Sequence, residues 1–274
     1  MANTIHERII SLVKDGNLTD LIPAIETAIQ QHHLPSTAIL QAAIQTMQLE
    51  VLEYLLPRLF PHDETGRKTP LANLDRIVIL DSLSPERVPA FKLLFRHDPS
   101  LCTMYLGHMG PPLAWAVLGN NFPLVSFLLA NGADPTQCQI NHRPAVAVVA
   151  AIGSCDMMEL LVDHGAALKG TGVLFAAVRN HRTDMIALLV EKRKLVDINA
   201  VQPVGQERGL SPGPVLHLAI RRRDERMTRL LQQRFHADPM AKDSDGKTAV
   251  DWAMEIKDEG ILDICLGGRE KSKD

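Results

Sequence analysis

The side chains able to bind or react are few, and the densest group is the run RRRDERMTRLLQQR, Arg221 to Arg234, with six arginines against two acids. Guanidinium forks suit a carboxylate, a phosphate or an acidic peptide, and a plain solvated helix face is the competing reading. No aromatic residue interleaves with the run, so single-stranded nucleic acid has nothing to stack on. His62-Asp63 and His97-Asp98 have the form of a metal-binding pair, but they stand 35 residues apart, and a duplicated helix-end sequence explains them more simply. His62, His97, His164 and His236 all fall at the ends of leucine-rich segments, where an imidazole can meet unpaired helix carbonyls. Cys102, Cys138, Cys155 and Cys265 form no CxxC pair, which points to free thiols in a reducing compartment and to no metal. The patterns GxSxG, HExxH, GxxxxGK[ST] and GxGxxG are absent, and GTGVLF (Gly170 to Phe175) has no strand before it to make it a phosphate loop. A triad assembled from distant positions stays open, because triads are defined by geometry. No cofactor is implied.

The elements that must position these side chains follow from composition and pattern. Hydrophobic residues are 46% of the 274, charged residues 22%, aromatics 4%, and the net charge is -3. That balance describes a folded chain with no global attraction to nucleic acid or anionic membrane. Few aromatics and abundant Leu, Ala, Ile and Val favour helices over a β-sandwich. The first residues, MANTIHERIISLVKDGNLTDL, contain no uninterrupted apolar segment, and no run approaches the roughly 18 residues a membrane span needs. The expectation is a cytoplasmic or nuclear protein, without a membrane partner.

Internal similarity is the strongest signal. PPLAWAVLGNNFPLVSFLLANGADPT, Pro111 to Thr136, reads as a short helix carrying Leu113, Trp115, Ala116 and Val117. A turn follows, then a second helix carrying Leu124, Val125, Leu128 and Leu129, and a stop at Gly132. Leucine pairs recur at 55/56, 93/94, 128/129, 160/161, 188/189 and 230/231, which sets a unit of roughly 33 residues with insertions. Eight helix pairs are expected, near 4–32, 35–60, 70–97, 111–132, 144–165, 172–192, 214–236 and 247–266. A single domain over 1–268 would stack them, and 269–274 would be a charged tail. Trp115 and Trp252 share one repeat position, in LAWA and VDWA, so packing explains them better than ligand stacking.

The motifs PPLAWAV with NGADP, RPAVAVVAA with DHGAAL, VLHLAI with FHADP, and DGKTAVDWA resemble the ankyrin repeat, while the first hundred residues match through helix spacing, with KTPLANL (Lys68 to Leu74) as the one motif-like fragment there. The match is to the stand-alone, degenerate kind met in filamentous fungi. The resemblance implies an all-α solenoid of about eight helix-turn-helix units joined by short β-hairpin loops. It also implies that His217, the histidine of HLA, braces the adjoining hairpin by a hydrogen bond.

The function implied by this resemblance is a non-enzymatic scaffold or adaptor binding a partner segment in a concave groove lined by hairpin tips and first helices. Carried residue by residue, the groove candidates are Tyr105 and His108, then Gln139, Asn141 and His142, then Arg179, Arg221 and Arg222. The partner expected is a protein, with an acidic peptide segment as the ligand the arginines would favour. The second reading is a small-molecule-binding or tailoring enzyme, cyclase-like, with its pocket closed by long hairpins. Asn199 to Pro214 interrupts the repeat by about nine residues beyond the roughly 33-residue unit, and its Glu207 and Arg208 would project beside Arg221. Polar end faces, with Glu7, Arg8, Lys14 and Asp15 at one end and Lys257, Asp258, Glu259 and Asp263 at the other, make a monomer the expectation.

Overall fold

In a computed structural model the protein is described at residues 2–30, 36–61, 71, 75–107, 110–203 and 212–267. The expectations for His62, His108, Glu207, Arg208 and the charged tail lie outside these residues. The chain divides into two compact units, Met1–Asp134 and Pro135–Asp274.

The first unit holds four helix pairs among the described residues: α1 (Ala2–Asp15) with α2 (Leu18–Gln30), α3 (Ser36–Gln45) with α4 (Leu49–Leu59), α5 (Arg76–Ser82) with α6 (Val88–His97), and α7 (Pro112–Leu118) with α8 (Phe122–Ala130). The second unit holds four more: α9 (Ala145–Ile152) with α10 (Cys155–Asp163), α11 (Val173–Arg179) with α12 (Thr183–Ala187), α13 (Val215–Arg221) with α14 (Glu225–Gln233), and α15 (Ala249–Glu255) with α16 (Glu259–Cys265). The helical period read from the leucine pairs therefore emerges as pairs of short helices. One departure is local: α12 runs on into a turn of π-helix at Leu188–Lys192.

Helices of two turns are unstable alone, so tertiary burial must hold them. In α9 the seven residues Ala145 to Ala151 are all buried, and in α11 so are the six from Val173 to Val178. A helix buried nearly all round needs neighbours on both sides. α9 packs on α11, α11 on α13, and α13 on α15, while α14 packs on α16. In the first unit α1 packs on α3, α3 on α5, and α4 on α6. Alanines such as Ala150, Ala177 and Ala219, all at most 1% exposed, leave the first helices room for close approach.

Turns within pairs share a chemistry. Asn121, Ser154, Asp224 and Asp258 each cap a second helix by accepting a backbone N–H, which satisfies a donor the helix leaves open. The residue just before that cap position is left-handed at Asn120, His181, Arg223 and Lys257, with φ between 50° and 55°. Second helices end on a further left-handed position, filled by Gly132 and Gly165 in two repeats and by His236, φ 55°, in another.

Between pairs the chain forms tight excursions. Gln139–Ile140 (β1) pairs antiparallel with Arg143–Pro144 (β2), and isolated bridges join Gln202 to Gly213 and Lys242 to Thr248. The long insertion is thus pinched at its base: Gln202 N–H donates to the Gly213 carbonyl at 3.0 Å, and Ser244 N–H donates to Pro212 at 2.8 Å. A Cβ on Gly213 would lie 2.8 Å from the Cβ of Asp243, so only glycine lets the two excursions meet.

Two substitutions check this account by thermal or denaturant unfolding. Gly213→Ala should lower stability by about 1–3 kcal/mol, the usual cost of overpacking. His236→Gly should raise it by about 0.5–1 kcal/mol, because the left-handed strain it relieves exceeds the added freedom of the unfolded chain.

Candidate functional site

The hairpin of β1 and β2 turns on two residues, Asn141 and His142, with φ of 49° and 61°. Two positive φ values in a two-residue loop are what a type I′ hairpin requires, and Asn is well suited to the first. Cys138 and Ile140 are buried beneath the hairpin, and Ala145 N–H donates to the Cys138 carbonyl at 2.9 Å. The tip is therefore held from below while Asn141, His142 and Arg143 stay exposed.

These three side chains form one wall of a cavity of about 490 Å³. Pro144 and Ala147 continue it at the start of α9, and Phe175, Ala176 and Arg179 contribute from α11. Gly170, Thr171 and Gly172, in the turn entering α11, close another side with Pro203 from the base of the insertion. Gly172 is left-handed at φ 73°, and a Cβ there would stand 3.4 Å from the Pro203 carbonyl oxygen. Glycine is needed there for the left-handed turn into α11, and Pro203 lies in contact range beside it. Thr171 Oγ1 is already committed, donating to the Leu168 carbonyl at 2.6 Å. Among the described lining residues the ionisable groups are one imidazole and two guanidiniums, above an apolar floor. Such a lining can receive negative charge beside an apolar surface.

Of the residues expected in a groove, Asn141, His142 and Arg179 come together here. Gln139 is exposed on β1 but does not line the cavity, and Tyr105, 62% exposed, belongs to the first unit. Arg222 is exposed beyond the end of α13. Arg221 is engaged elsewhere: its guanidinium lies 4.2 Å from the centroid of the Trp252 ring, and Lys247 Nζ also stands 4.2 Å from it. The arginine run is split further. Arg223 donates to the Ile256 carbonyl, Arg234 makes a two-pronged contact with Glu191 at 3.0 Å, and Arg226 and Arg229 line a separate cavity on α14. Arg143 and Pro203 also line the cavity, although neither sits at a position that the repeat pattern marks as a tip. For Arg143 the signal was present in NHRP, where a two-residue turn leaves the arginine on the return strand.

The tryptophans keep their shared register but are half-buried. Trp252 Nε1 donates to Asp243 Oδ2 at 2.7 Å. Asp243 Oδ1 also accepts from the backbone of Asp245 and Lys247, both at 2.9 Å. His217 braces the same turn, its Nε2 lying 3.1 Å from the Lys247 carbonyl. Burial pushes the His217 imidazole below the ordinary histidine value, against the opposing pull of that carbonyl and of Asp243. Other residues singled out for reactivity have structural duties. His164 Nδ1 meets the Leu160 carbonyl at 2.9 Å at the end of α10. Asp98 accepts from the backbone of Leu71 and Ser100 at 2.7 and 3.0 Å. Cys102, Cys138 and Cys265 are buried, and burial pushes the Cys265 thiol up to about 11, which suppresses its thiolate.

Comparison with known proteins places this architecture. Residues 113–202 match the family model for ankyrin repeats, in 3 copies. A 123-residue stretch, 43% of the chain, is 28% identical to alpha-latrocrustotoxin-Lt1a of Latrodectus tredecimguttatus, and it spans 8% of that protein's length. Among solved structures, the ankyrin repeat domain of Bcl-3, of the IkappaB family, aligns with a TM-score of 0.57 at 21% identity, covering 71% of this chain and 87% of that one. EF0377, an ankyrin repeat protein, aligns with a TM-score of 0.52 at 18% identity, covering 71% and 97%. A chain from the complex of the Bd0816 predatory endopeptidase of Bdellovibrio bacteriovorus with immunity protein Bd3460 aligns with a TM-score of 0.50 at 20% identity, covering 70% and 97%. The fold is that of ankyrin-repeat proteins. Among the described residues, no helix is long and apolar enough to cross a membrane.

The His217 brace makes a pH prediction. Its folded-state pKa is below the unfolded value of about 6.5, so the folded form resists protonation. The stability it supports is complete above that value and declines as pH falls through the window beneath it. An NMR titration should give a ring pKa below 6.5, and His217→Gln should shrink the drop in melting temperature between about pH 7.5 and 5.5. A ring titrating at or above the free value would contradict the dominance of burial over the pull of the Lys247 carbonyl.

Proposed function

We propose that this chain, whose residues 113–202 are ankyrin repeats, is a protein-interaction module. In this reading its second unit binds a segment of a partner protein across the hairpin tips and first helices. The observation that carries the reading is the convergence of Asn141, His142 and Arg179 on one cavity. Residues 38 positions apart in sequence (141 and 179) meet there because α9 and α11 stack side by side.

The geometry suits binding better than reaction. A rigid hairpin and two packed helices offer a wall whose shape is fixed before a ligand arrives, which lowers the ordering cost of association. The cavity lining presents cations and one exposed imidazole. The polar cluster of buried His217 and Asp243 with half-buried Trp252 is consumed by holding the 243–247 turn to α13 and α15. A scaffold or adaptor role follows, with the ligand an extended segment of another protein.

A random peptide library displayed on phage and panned against the whole protein tests this. Enriched peptides should lose about tenfold or more in affinity for Arg179→Ala and for a variant carrying Asn141→Ala and His142→Ala, a loss of the size that hot-spot truncation produces. They should bind Tyr105→Ala unchanged. Enriched peptides indifferent to the cavity variants would overturn the proposal.

A further inference from the structure

We infer that the turn of π-helix at Leu188–Lys192 is a two-sided ionic clasp, through which the pairs α9–α10, α11–α12 and α13–α14 loosen and tighten together and not one by one. This inference does not rest on the interaction reading above.

Chain length inside each second helix is the first argument. From the helix cap to the left-handed residue that stops the helix takes 11 positions in two repeats, Asn121 to Gly132 and Ser154 to Gly165. In the next two it takes 12, Arg182 to Lys194 and Asp224 to His236. The continuation of α12 absorbs its extra residue in the π turn, where Arg193 N–H donates to the Leu188 carbonyl at 3.0 Å and Leu195 N–H to the Leu189 carbonyl at 2.8 Å. Such turns are rare and gather at functional positions. What this one achieves is visible at Arg193. At the shorter spacing residue 193 would itself be the left-handed stop. With the extra residue Lys194 takes that position, at φ 51°, and Arg193 is released to pair with Asp163.

Direction is the second argument. Residues two apart on a helix do not face the same way, and the turn uses both directions. Arg193 reaches back to Asp163 at the end of α10. Glu191 reaches forward and accepts both prongs of Arg234, each at 3.0 Å, at the end of α14. A fork on a carboxylate fixes orientation as well as distance. The hydrogen bonds from Arg234, followed by the charges of Arg234, His236 and Lys192, hold the Glu191 carboxyl below the usual carboxylate range. Ion pairs on an exposed surface are individually weak. These two share one turn, so loss of either frees the backbone that positions the other. The chain then runs from the turn into the excursion whose base supplies Pro203 to the cavity, so the clasp also sets where that wall begins.

Native-state hydrogen exchange on the whole protein, read residue by residue by NMR, tests the clasp. The reporters are the amides of Ala166, bonded to the Leu161 carbonyl beside α10, of Arg193 and Leu195 in the turn, and of Ala237, bonded to the Leu231 carbonyl beside α14. Asp163→Asn and Arg234→Gln each remove one ion pair at little cost in shape. Each should speed exchange at its own end, in the turn and at the opposite end, by about twofold to fivefold, the range that exposed ion pairs support. Glu191→Gln should speed both ends at once, and Arg226→Gln, on α14 but outside the clasp, should change none of them. In about 1 M sodium chloride, where the screening length falls to roughly 3 Å, the differences should collapse. An effect confined to the mutated end would overturn the coupling. Equal effects from Arg226→Gln, or differences that survive the salt, would overturn its ionic origin and the clasp with it. Every protected amide speeding alike would report global destabilisation and would overturn the clasp as well.

Discussion

Every helix in the second unit is too short to exist without its neighbours, and that constraint organises the rest. α9 and α11 are buried almost all round, which a pair of isolated helices cannot achieve. Burial is completed only when first helix stacks on first helix, from α9 through α11 and α13 to α15. Each fully buried aliphatic side chain contributes about 1.5–3 kcal/mol, so the stacking is what offsets the ordering cost of the chain. Alanine and valine dominate these contacts because small side chains let helix axes close up. Once the axes are set, the loops leaving their ends must lie beside one another.

The site is a by-product of that arrangement. Tips and turns that belong to different repeats are brought into register by the stack, and local chemistry then fixes each one. The left-handed pair Asn141-His142 points the hairpin tip, Gly172 supplies the left-handed turn into α11, and the Gln202–Gly213 bridge holds the base of the insertion. Further along, His217, Asp243 and Trp252 tie the next excursion to its helices. His217 Nε2, Trp252 Nε1 and the Asp243 carboxylate each meet a partner under these turns, and such networks stiffen the loops they hold. A binding wall built this way owes its shape to packing and not to the ligand.

Much of the fold could be read from the residues. Leucine pairs at a repeated interval, small residues in LAWA and LFAA, and glycines at helix ends all report one helix pair after another, and eight such pairs are present among the described residues. The histidine brace came with the resemblance: the family's HLA motif implied it for His217, and the ring meets the Lys247 carbonyl. The site was less accessible. Arg221 looked exposed at the end of a helix, but a tryptophan one repeat later captures it through the face of its ring. Such a contact spans 31 positions (221 to 252) and depends on the rotation of each helix, which periodicity does not encode. Arg143 and Pro203 escaped for the same reason: their value comes from neighbours contributed by other repeats.

The claim on which this account turns is that the hairpin and α11 act as one binding wall. A double-mutant cycle on the affinity of a library-selected peptide, using Arg143→Ala and Arg179→Ala singly and together, measures this directly. Two groups holding one ligand atom group should be coupled by more than about 0.5 kcal/mol, beyond the scatter expected of independent sites. Losses that simply add, within that scatter, would contradict it and would separate the hairpin from the helix as binding elements.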